Sequence, residues 1–173
     1  MELTTVRLRL RKLRLEDAPL LAGLYGDPKV QETLPQPEPV TVEGERAIIG
    51  RHLENAWARE GSGLFAVFEQ STGEFVGCCG HLFWDIDGRH ETEVAYAILP
   101  DHWRKGYATE AALALKDDAF KRLGKKRVIS LVNPNNIGSA RVAESNGMRI
   151  EKQTVILENY TVNIWAVEAP VSL

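Results

Sequence analysis

The feature that most restricts the fold of this 173-residue chain is a strand, helix and strand pattern in its second half. An apolar strand pattern covers residues 91–99, a helix pattern covers 109–123, and a second apolar strand pattern covers 127–132. A connection of this length with a helix inside it is typical of a crossover between parallel strands. The sequence therefore predicts that these two strands lie parallel and adjacent in one sheet.

Shorter alternating segments predict further strands, most of them antiparallel. Turn residues indicate one hairpin around Ser71-Thr72-Gly73 and another around Glu158-Asn159. Prolines within residues 35–39 predict that 30–39 form an irregular connection inside the same domain. We predict a single domain over residues 1–173 of α/β, mixed α+β class, with about seven strands in one mixed sheet and helices on both faces. The predicted strands cover 6–13, 64–69, 74–83, 91–99, 127–132, 148–157 and 160–168, and the predicted helices cover 16–25, 42–59, 109–123 and 139–146.

Composition and charge narrow the class of protein. With 44% hydrophobic residues, the chain can bury a sizeable core within one domain. Its 21 basic and 24 acidic residues nearly balance, which argues against non-specific binding to nucleic acid or to a membrane. Cys78 and Cys79 are adjacent, so they fit neither a disulfide framework nor a metal site, and they should point to opposite faces of a strand. No segment resembles a membrane span or a signal peptide, which predicts a cytoplasmic protein.

A short basic junction lies between the first strand of the crossover and its helix. It consists of Arg104, Lys105, Gly106, Tyr107, Ala108 and Thr109. The two basic side chains supply positive charge, the glycine permits close backbone approach, and the alanine keeps the first helical turn narrow. The unpaired N–H groups at a helix N-terminus favour an anion. The junction therefore predicts a binding site for a diphosphate.

Together with a second segment, this junction resembles the acyl-coenzyme A site of the GNAT N-acetyltransferase superfamily, in the branch similar to the RimJ/RimL ribosomal-protein acetyltransferases. Tyr96 and residues 103–111, 136–139 and 144–148 carry the likeness. Trp103 stands where the phosphate loop of the superfamily usually has Gln or Arg, so the sequence departs from the pattern at that one contact. The resemblance implies acetyl-CoA as cosubstrate and a parallel strand pair that splays apart around the pantetheine arm.

The resemblance also implies roles for individual residues. Backbone groups of Ala97, Ile98 and Leu99 would bind the pantetheine arm, although their side chains are also ordinary core residues. Asn136 would contact the pantetheine, and Ser139 would lie near the coenzyme sulfur, where the leaving thiolate needs a proton or a hydrogen-bond donor. Both residues also suit a second role, because Asn136 can close a turn and Ser139 can start the following helix.

Direct transfer requires a neutral amine, and Glu93 is the predicted base, acting directly or through a water. Strand alternation puts Glu93 on the same face as two alanines, which leave room for a substrate. Glutamate at this position is found in similar acetyltransferases. His81 and His90 are secondary candidates at the pocket rim, whereas His52 and His102 are predicted to lie on the surface. No cysteine or serine has a recognisable base beside it, so no covalent intermediate is expected.

The acceptor is predicted to be an amine, either the N-terminus of a ribosomal protein or another peptide, or a small molecule such as an amino acid, a polyamine or an antibiotic. Trp57, Phe83 and Trp84 would make its pocket partly apolar, and Tyr107 is expected to pack beside the adenine or the helix. One alternative is a domain that binds acyl-CoA as a sensor or scaffold without turnover. A nucleotide-phosphate binder is disfavoured, because the sequence lacks a complete G-x-x-x-x-G-K-[ST] loop. The last hairpin could pair across a homodimer.

Overall fold

A computed structural model describes residues 1–34 and 39–170 and shows one mixed sheet. Its strands are β1 (Glu2–Thr4), β2 (Leu8–Lys12), β3 (Leu64–Glu69), β4 (Phe75–Ile86), β5 (Arg89–Ile98), β6 (Arg127–Val132), β7 (Arg149–Ile156) and β8 (Tyr160–Glu168). They lie in the order β1-β2-β3-β4-β5-β6-β8-β7. Within the described ranges, β5 and β6 form the one parallel pair, and the other neighbouring strands are antiparallel. The parallel pair predicted from the crossover is confirmed.

Among the described residues the sheet has eight strands, which corrects the predicted number of about seven. The additional strand is β1, whose residues Glu2, Leu3 and Thr4 pair with β2. Three residues are too few for alternation to be recognised in the sequence. The other strands agree with the predicted segments to within a few residues, so the mixed α/β class is confirmed.

The α-helices follow the predicted order, with one addition and one change of helix type. They are α1 (Ala18–Tyr25), α2 (Pro28–Gln31), α3 (Val42–His52), α4 (Tyr107–Lys121) and α5 (Ile137–Ser145). The helix predicted for 42–59 is α-helical only as far as His52, after which a π-helix spans Leu53–Glu60. The irregular connection predicted for 30–39 is wrong at its start, because Val30 and Gln31 belong to α2, and its residues 35–38 lie outside the described residues. No helix in the described part of the chain is long and apolar enough to cross a membrane.

Two apolar clusters cover the two faces of the sheet. On one face α4 and α5 pack over side chains that include Leu8, and Leu115 of α4 is fully buried there. On the other face α1 and α3 pack around side chains that include Leu21. Cys79 belongs to the first cluster and Cys78 to the second, so the adjacent cysteines point to opposite faces as predicted. Burying each large apolar side chain contributes about 1.5–3 kcal/mol, so both helical layers stabilise the sheet.

The parallel strands β5 and β6 stay together over a short length and then splay apart. The two strands pair at Glu93 and Ile129. Beyond this pair β5 stays hydrogen-bonded to β4, and β6 stays hydrogen-bonded to β8. The Ser130 Oγ donates a hydrogen bond to the Val94 carbonyl oxygen at 2.7 Å. A gap opens beyond this bond, toward the C-terminal ends of the two strands, and Glu93 lies at its beginning.

Candidate active site

The junction between β5 and α4 folds into a tight loop. Arg104 and Gly106 have φ angles of 61° and 82°, in the left-handed region that glycine adopts without strain. The backbone N–H groups of residues 104–109 have no hydrogen-bond acceptor within the described part of the chain. The side chains of Arg104 and Lys105 are exposed. An anion that approaches the loop therefore meets free N–H groups and two cations.

Arg7, immediately before β2, supports this loop from the side. Its Nη1 donates to the Lys105 carbonyl oxygen at 2.7 Å, and its Nε donates to the Glu110 Oε2 at 2.7 Å. Its guanidinium carbon lies 4.8 Å from the centre of the Tyr107 ring. Tyr107 is 5% exposed and its hydroxyl donates to Glu69, so this side chain anchors the start of α4 to β3. Because Arg7 pairs with Glu110, that carboxylate repels a bound anion less.

A cavity of about 250 Å³ extends from the gap between β5 and β6 to α1 and α3, and Glu93 lines it. Glu93 is 6% exposed. Its Oε2 accepts a hydrogen bond from the Trp84 Nε1 at 2.6 Å, and its Oε1 accepts one from the Leu131 N–H at 3.3 Å. Burial raises the pKa of Glu93 to about 7, although both hydrogen bonds favour the ionised form. A carboxyl group with this pKa can accept a proton at neutral pH.

Asn136 and Ser139 reach the same cavity from the N-terminus of α5. The Asn136 Oδ1 accepts a hydrogen bond from the Ser139 N–H at 2.9 Å and caps the helix. The Tyr96 hydroxyl donates to the Ser139 carbonyl oxygen at 2.9 Å and so connects β5 to α5 across the gap. Both contacts use the backbone of Ser139, so its capping position does not occupy its hydroxyl.

A family model described as an acetyltransferase (GNAT) domain matches residues 7–149, which include the loop, Glu93 and Ser139. The chain belongs to the GNAT acetyltransferase family. The resemblance inferred from residues 103–111 and 136–148 is thereby confirmed. GNAT acetyltransferases use acetyl-CoA, and this GNAT domain is an acetyl-CoA-dependent N-acetyltransferase.

Individual relatives agree with this assignment. The "uncharacterized N-acetyltransferase p20" of Bacillus licheniformis is 33% identical over 144 residues, which cover 83% of this chain and 79% of that protein. The structure of an acetyltransferase from Agrobacterium tumefaciens superposes with a TM-score of 0.82 at 27% identity and covers 98% of this chain and 95% of that chain. The structure of the RimL ribosomal L7/L12 α-N-protein acetyltransferase in complex with coenzyme A superposes with a TM-score of 0.80 at 20% identity. The match covers 97% of this chain and 98% of that chain. The likeness to RimL is one of fold.

The strand geometry corrects two of the three backbone contacts predicted for the pantetheine arm. The Leu99 N–H donates to the Val76 carbonyl oxygen at 2.9 Å, so it points to β4 and away from the gap. Ala97 lies two residues earlier, and in a strand residues two apart turn their backbone groups the same way. Ala97 and Leu99 therefore pair with β4, and the prediction had not taken this alternation into account.

By the same alternation, the backbone groups of Ile98 and Tyr96 face the gap, so the predicted contact of Ile98 with the pantetheine arm stays a prediction. The Ile98 carbonyl oxygen accepts a hydrogen bond from the Trp103 Nε1 at 2.6 Å. Trp103 occupies the position at which the sequence departs from the usual phosphate loop. In this GNAT domain the hydrogen bond from the Trp103 indole connects the loop to the end of β5.

Three histidines lie elsewhere than predicted, and one of them, His52, was expected on the surface but is half-buried and lines the cavity. His81, a secondary base candidate at the rim, is 0% exposed, because β4 crosses the middle of the sheet. Its ring contacts the Ser62 Oγ at 2.7 Å and the Leu115 carbonyl oxygen at 2.9 Å, so it is a structural residue between β4 and α4. His102, predicted on the surface, is 5% exposed. His90 lies on the surface, where its ring contacts acidic side chains.

Three residues of the site were missed or only partly recognised. Arg7 lies in an Arg/Leu alternation that predicts only a solvated strand face. Trp84 was recognised as a pocket aromatic but not as the donor to Glu93. Glu45, in the first turn of α3, gave no sequence signal, yet it is 2% exposed and lines the cavity. No cluster of His, Cys, Asp or Glu that could hold a metal ion occurs among residues 1–34 and 39–170.

Proposed function

We propose that this GNAT domain transfers the acetyl group of acetyl-CoA to a primary amine by direct attack, with Glu93 as the general base. The observation that carries the proposal is the position of Glu93, which is a buried carboxylate where β5 and β6 diverge and lines the cavity shared with Ser139. Its pKa of about 7 lets it accept a proton at neutral pH and still be ionised in a large fraction of molecules.

The proposed reaction has a simple balance of bonds and protons. The amine nitrogen attacks the thioester carbonyl carbon, so a C–N bond forms and the C–S bond breaks. The proton lost by the amine goes to Glu93, directly or through a water. The departing thiolate takes a proton or a hydrogen bond from a donor beside it, and Ser139 is the proposed donor. A base at the position of Glu93 contributes about 100- to 10,000-fold to the rate.

Orientation of the two reactants is the larger contribution of the site. The free N–H groups of residues 104–109 and the two cations of the loop would hold the diphosphate, and the backbone of Tyr96 and Ile98 would hold the pantetheine arm along β5. Asn136 lies where it can contact that arm at the start of α5. Correct orientation of two reactants lowers an effective barrier by about 7–11 kcal/mol.

The cysteines support direct transfer over a covalent intermediate. Cys78 lines the cavity, but burial raises the pKa of its thiol to about 12. Cys79 also lines the cavity, although it belongs to the apolar cluster on the opposite face of the sheet, and burial raises the pKa of its thiol as well. A thiol that stays protonated is a poor nucleophile. Neither residue is therefore proposed to carry the acetyl group.

The acceptor of this GNAT domain is an amine in the proposal, and a peptide N-terminus is one candidate. RimL, by its name, acts on the α-amine of a ribosomal protein, and similarity of fold with RimL gives that candidate its support. An α-amine with a pKa near 7.7–8.0 is also easier to deprotonate than a lysine side chain near 10.4. The cytoplasmic location and the homodimer stay predictions from the sequence.

Release of free thiol from acetyl-CoA in the presence of a panel of amines tests the proposal. We expect thiol release with at least one primary amine, and a much lower kcat for Glu93→Gln at unchanged affinity for acetyl-CoA by calorimetry. Tight binding of acetyl-CoA without turnover of any amine would favour the sensor or scaffold. An unchanged kcat and pH profile in Glu93→Gln would show that Glu93 is not the base.

A further inference from the structure

The charges around the cavity are all of one sign. Glu93 and Glu45 line it, whereas no lysine or arginine does so within residues 1–34 and 39–170. Glu93 belongs to β5, at the parallel pair. Glu45 belongs to α3, which packs on the face of the sheet covered by α1. The cavity therefore has a second carboxylate that the proposed reaction does not use.

Glu45 lies in the first turn of α3, which Thr41 caps through a hydrogen bond from the Gly44 N–H at 3.0 Å. The neighbouring residue Glu43 is exposed, but Glu45 turns inward and is 2% exposed. Its Oε2 is buried without a hydrogen-bond partner among the described residues. Burial raises the pKa of Glu45 accordingly. A buried carboxylate without a donor is costly, and a ligand that brings a charged donor removes that cost.

The neighbours of Glu45 in the cavity are neutral. Burial raises the pKa of the Tyr25 phenol and lowers the pKa of the His52 imidazole, so both are uncharged at neutral pH. Leu21 and Ile48 supply apolar surface in the same cavity. This end of the cavity thus offers a negative charge beside apolar walls, which suits an ammonium group at the end of a short aliphatic chain.

We propose that the acceptor is a di- or polyamine, whose reacting amine lies at Glu93 while a second protonated nitrogen binds Glu45. The inference rests on the proposed function and names its substrate class. Two carboxylates in one cavity match two nitrogens, and the apolar residues match the methylene groups that join them. Desolvation lowers the pKa of the entering amine and raises that of Glu93, so the proton moves more easily from nitrogen to carboxylate.

Acceptors with a carboxylate close to the amine fit this cavity poorly, because like charges in a desolvated site repel. Two arginines, Arg51 and Arg59, line an adjoining cavity of about 470 Å³ together with Glu60, and this cavity shares His52 and Trp84 with the first. A free amino acid, or a peptide with an acidic residue next to its N-terminus, would bind on that side instead. A protonated second nitrogen therefore favours the cavity that contains Glu45, whereas a carboxylate near the amine favours the adjoining cavity.

The test compares two acceptors of equal chain length, 1,4-diaminobutane and 1-aminobutane, by thiol release from acetyl-CoA. We expect kcat/KM for the diamine to exceed that for the monoamine by about ten-fold or more, as for a charge-assisted hydrogen bond. In Glu45→Gln this ratio should fall close to one. Glu45→Asp should keep part of it, and Glu43→Gln, at the exposed position in the same helical turn, should keep it in full.

Each of the remaining outcomes would refute either the inference about the acceptor or the proposed function. A ratio near one in the wild-type protein, or an unchanged ratio in Glu45→Gln, overturns the inference. So does faster acetylation of a peptide with a neutral second residue, or of a free amino acid, than of the diamine. In these three cases the proposed function survives, because thiol is still released. Absence of thiol release with every amine would instead overturn the proposed function itself.

Discussion

Replacing Glu93 by glutamine should stabilise the protein at alkaline pH while it removes catalysis. The pKa of Glu93 is raised from an ordinary value of 4.5 to about 7 by burial. Between these values the folded protein binds more protons than the unfolded chain, so this contribution to stability is complete below 4.5 and is lost as pH rises through 7. A difference of about 2.5 units at roughly 1.36 kcal/mol per unit amounts to about 3 kcal/mol.

Glutamine resembles the protonated carboxyl group in shape and in its single acceptor oxygen, and it carries no charge at any pH. In glutamine an NH2 group replaces one carboxylate oxygen, so one of the two donors, Trp84 or Leu131, loses its acceptor. This loss is the same at every pH, so the pH dependence of the difference in free energy of unfolding isolates the charge. Between pH 4.5 and pH 9 that difference should change in favour of the variant by about 3 kcal/mol, or about 6–12 °C in Tm for a chain of this size.

Urea unfolding of both proteins between pH 5 and pH 9 measures this difference, with Glu43→Gln as the exposed control that should show no such trend. Activity measured on the same samples should show kcat reduced by about 100- to 10,000-fold in Glu93→Gln. The wild-type kcat/KM should rise with pH through about 7, since the base must be ionised. A stability difference that stays constant across this pH range would refute the reasoning, because it would mean that Glu93 titrates normally.

Three further predictions concern the loop and the base. Gly106→Asp, at a φ of 82°, should weaken acetyl-CoA binding by at least about 100-fold in calorimetry. The control Gly73→Asp has a similar φ of 73° and lies in a distant hairpin where a side chain has open space, so it should leave acetyl-CoA binding unchanged. Arg7→Ala should raise KM for acetyl-CoA about ten-fold with kcat nearly unchanged, because the Lys105 carbonyl oxygen loses its donor; a changed kcat alone would contradict this. Trp84→Phe removes a hydrogen bond that favours ionised Glu93, so the inflection of the pH–rate profile should move to higher pH by about one unit, and an acid shift would argue against it.

The fold was largely predictable because its signals are local. Strand alternation, helix periodicity and turn residues are properties of short segments, and the crossover from β5 to β6 fixes the parallel pair. The position of the loop between β5 and α4 was predictable for the same reason, since its glycine and its two cations are consecutive. The face on which Glu93 lies followed from alternation along a single strand. β1 could not be predicted, because a three-residue strand is defined by its partner β2 and not by its own pattern.

What escaped prediction depends on distant parts of the chain meeting in space. His81 was expected at the rim and lies in the core, because its burial comes from packing between β4 and α4. Arg7 has the sequence context of a solvated strand residue, and its partners are about a hundred residues away in the chain. Glu45 has the context of an acid in the first turn of a helix, where such residues normally interact with the dipole and solvent. Glu45 lines the cavity only because α3 packs on the sheet with this side chain facing inward.

The distribution of charge supports the proposed order of the two substrates along the sheet. At the end of β5 the loop offers free N–H groups and the cations Arg104 and Lys105, and Arg7 pairs with the acidic Glu110 at the start of α4. In the cavity beyond the gap the charged residues of the described chain are carboxylates. In the proposed reaction, a molecule with a polyanionic end and a neutral thioester end would lie across the gap with its phosphates at the loop. A cationic amine would be attracted to the opposite side. The separation of charge between loop and cavity would therefore bring thioester and amine together at Glu93, before any proton is moved.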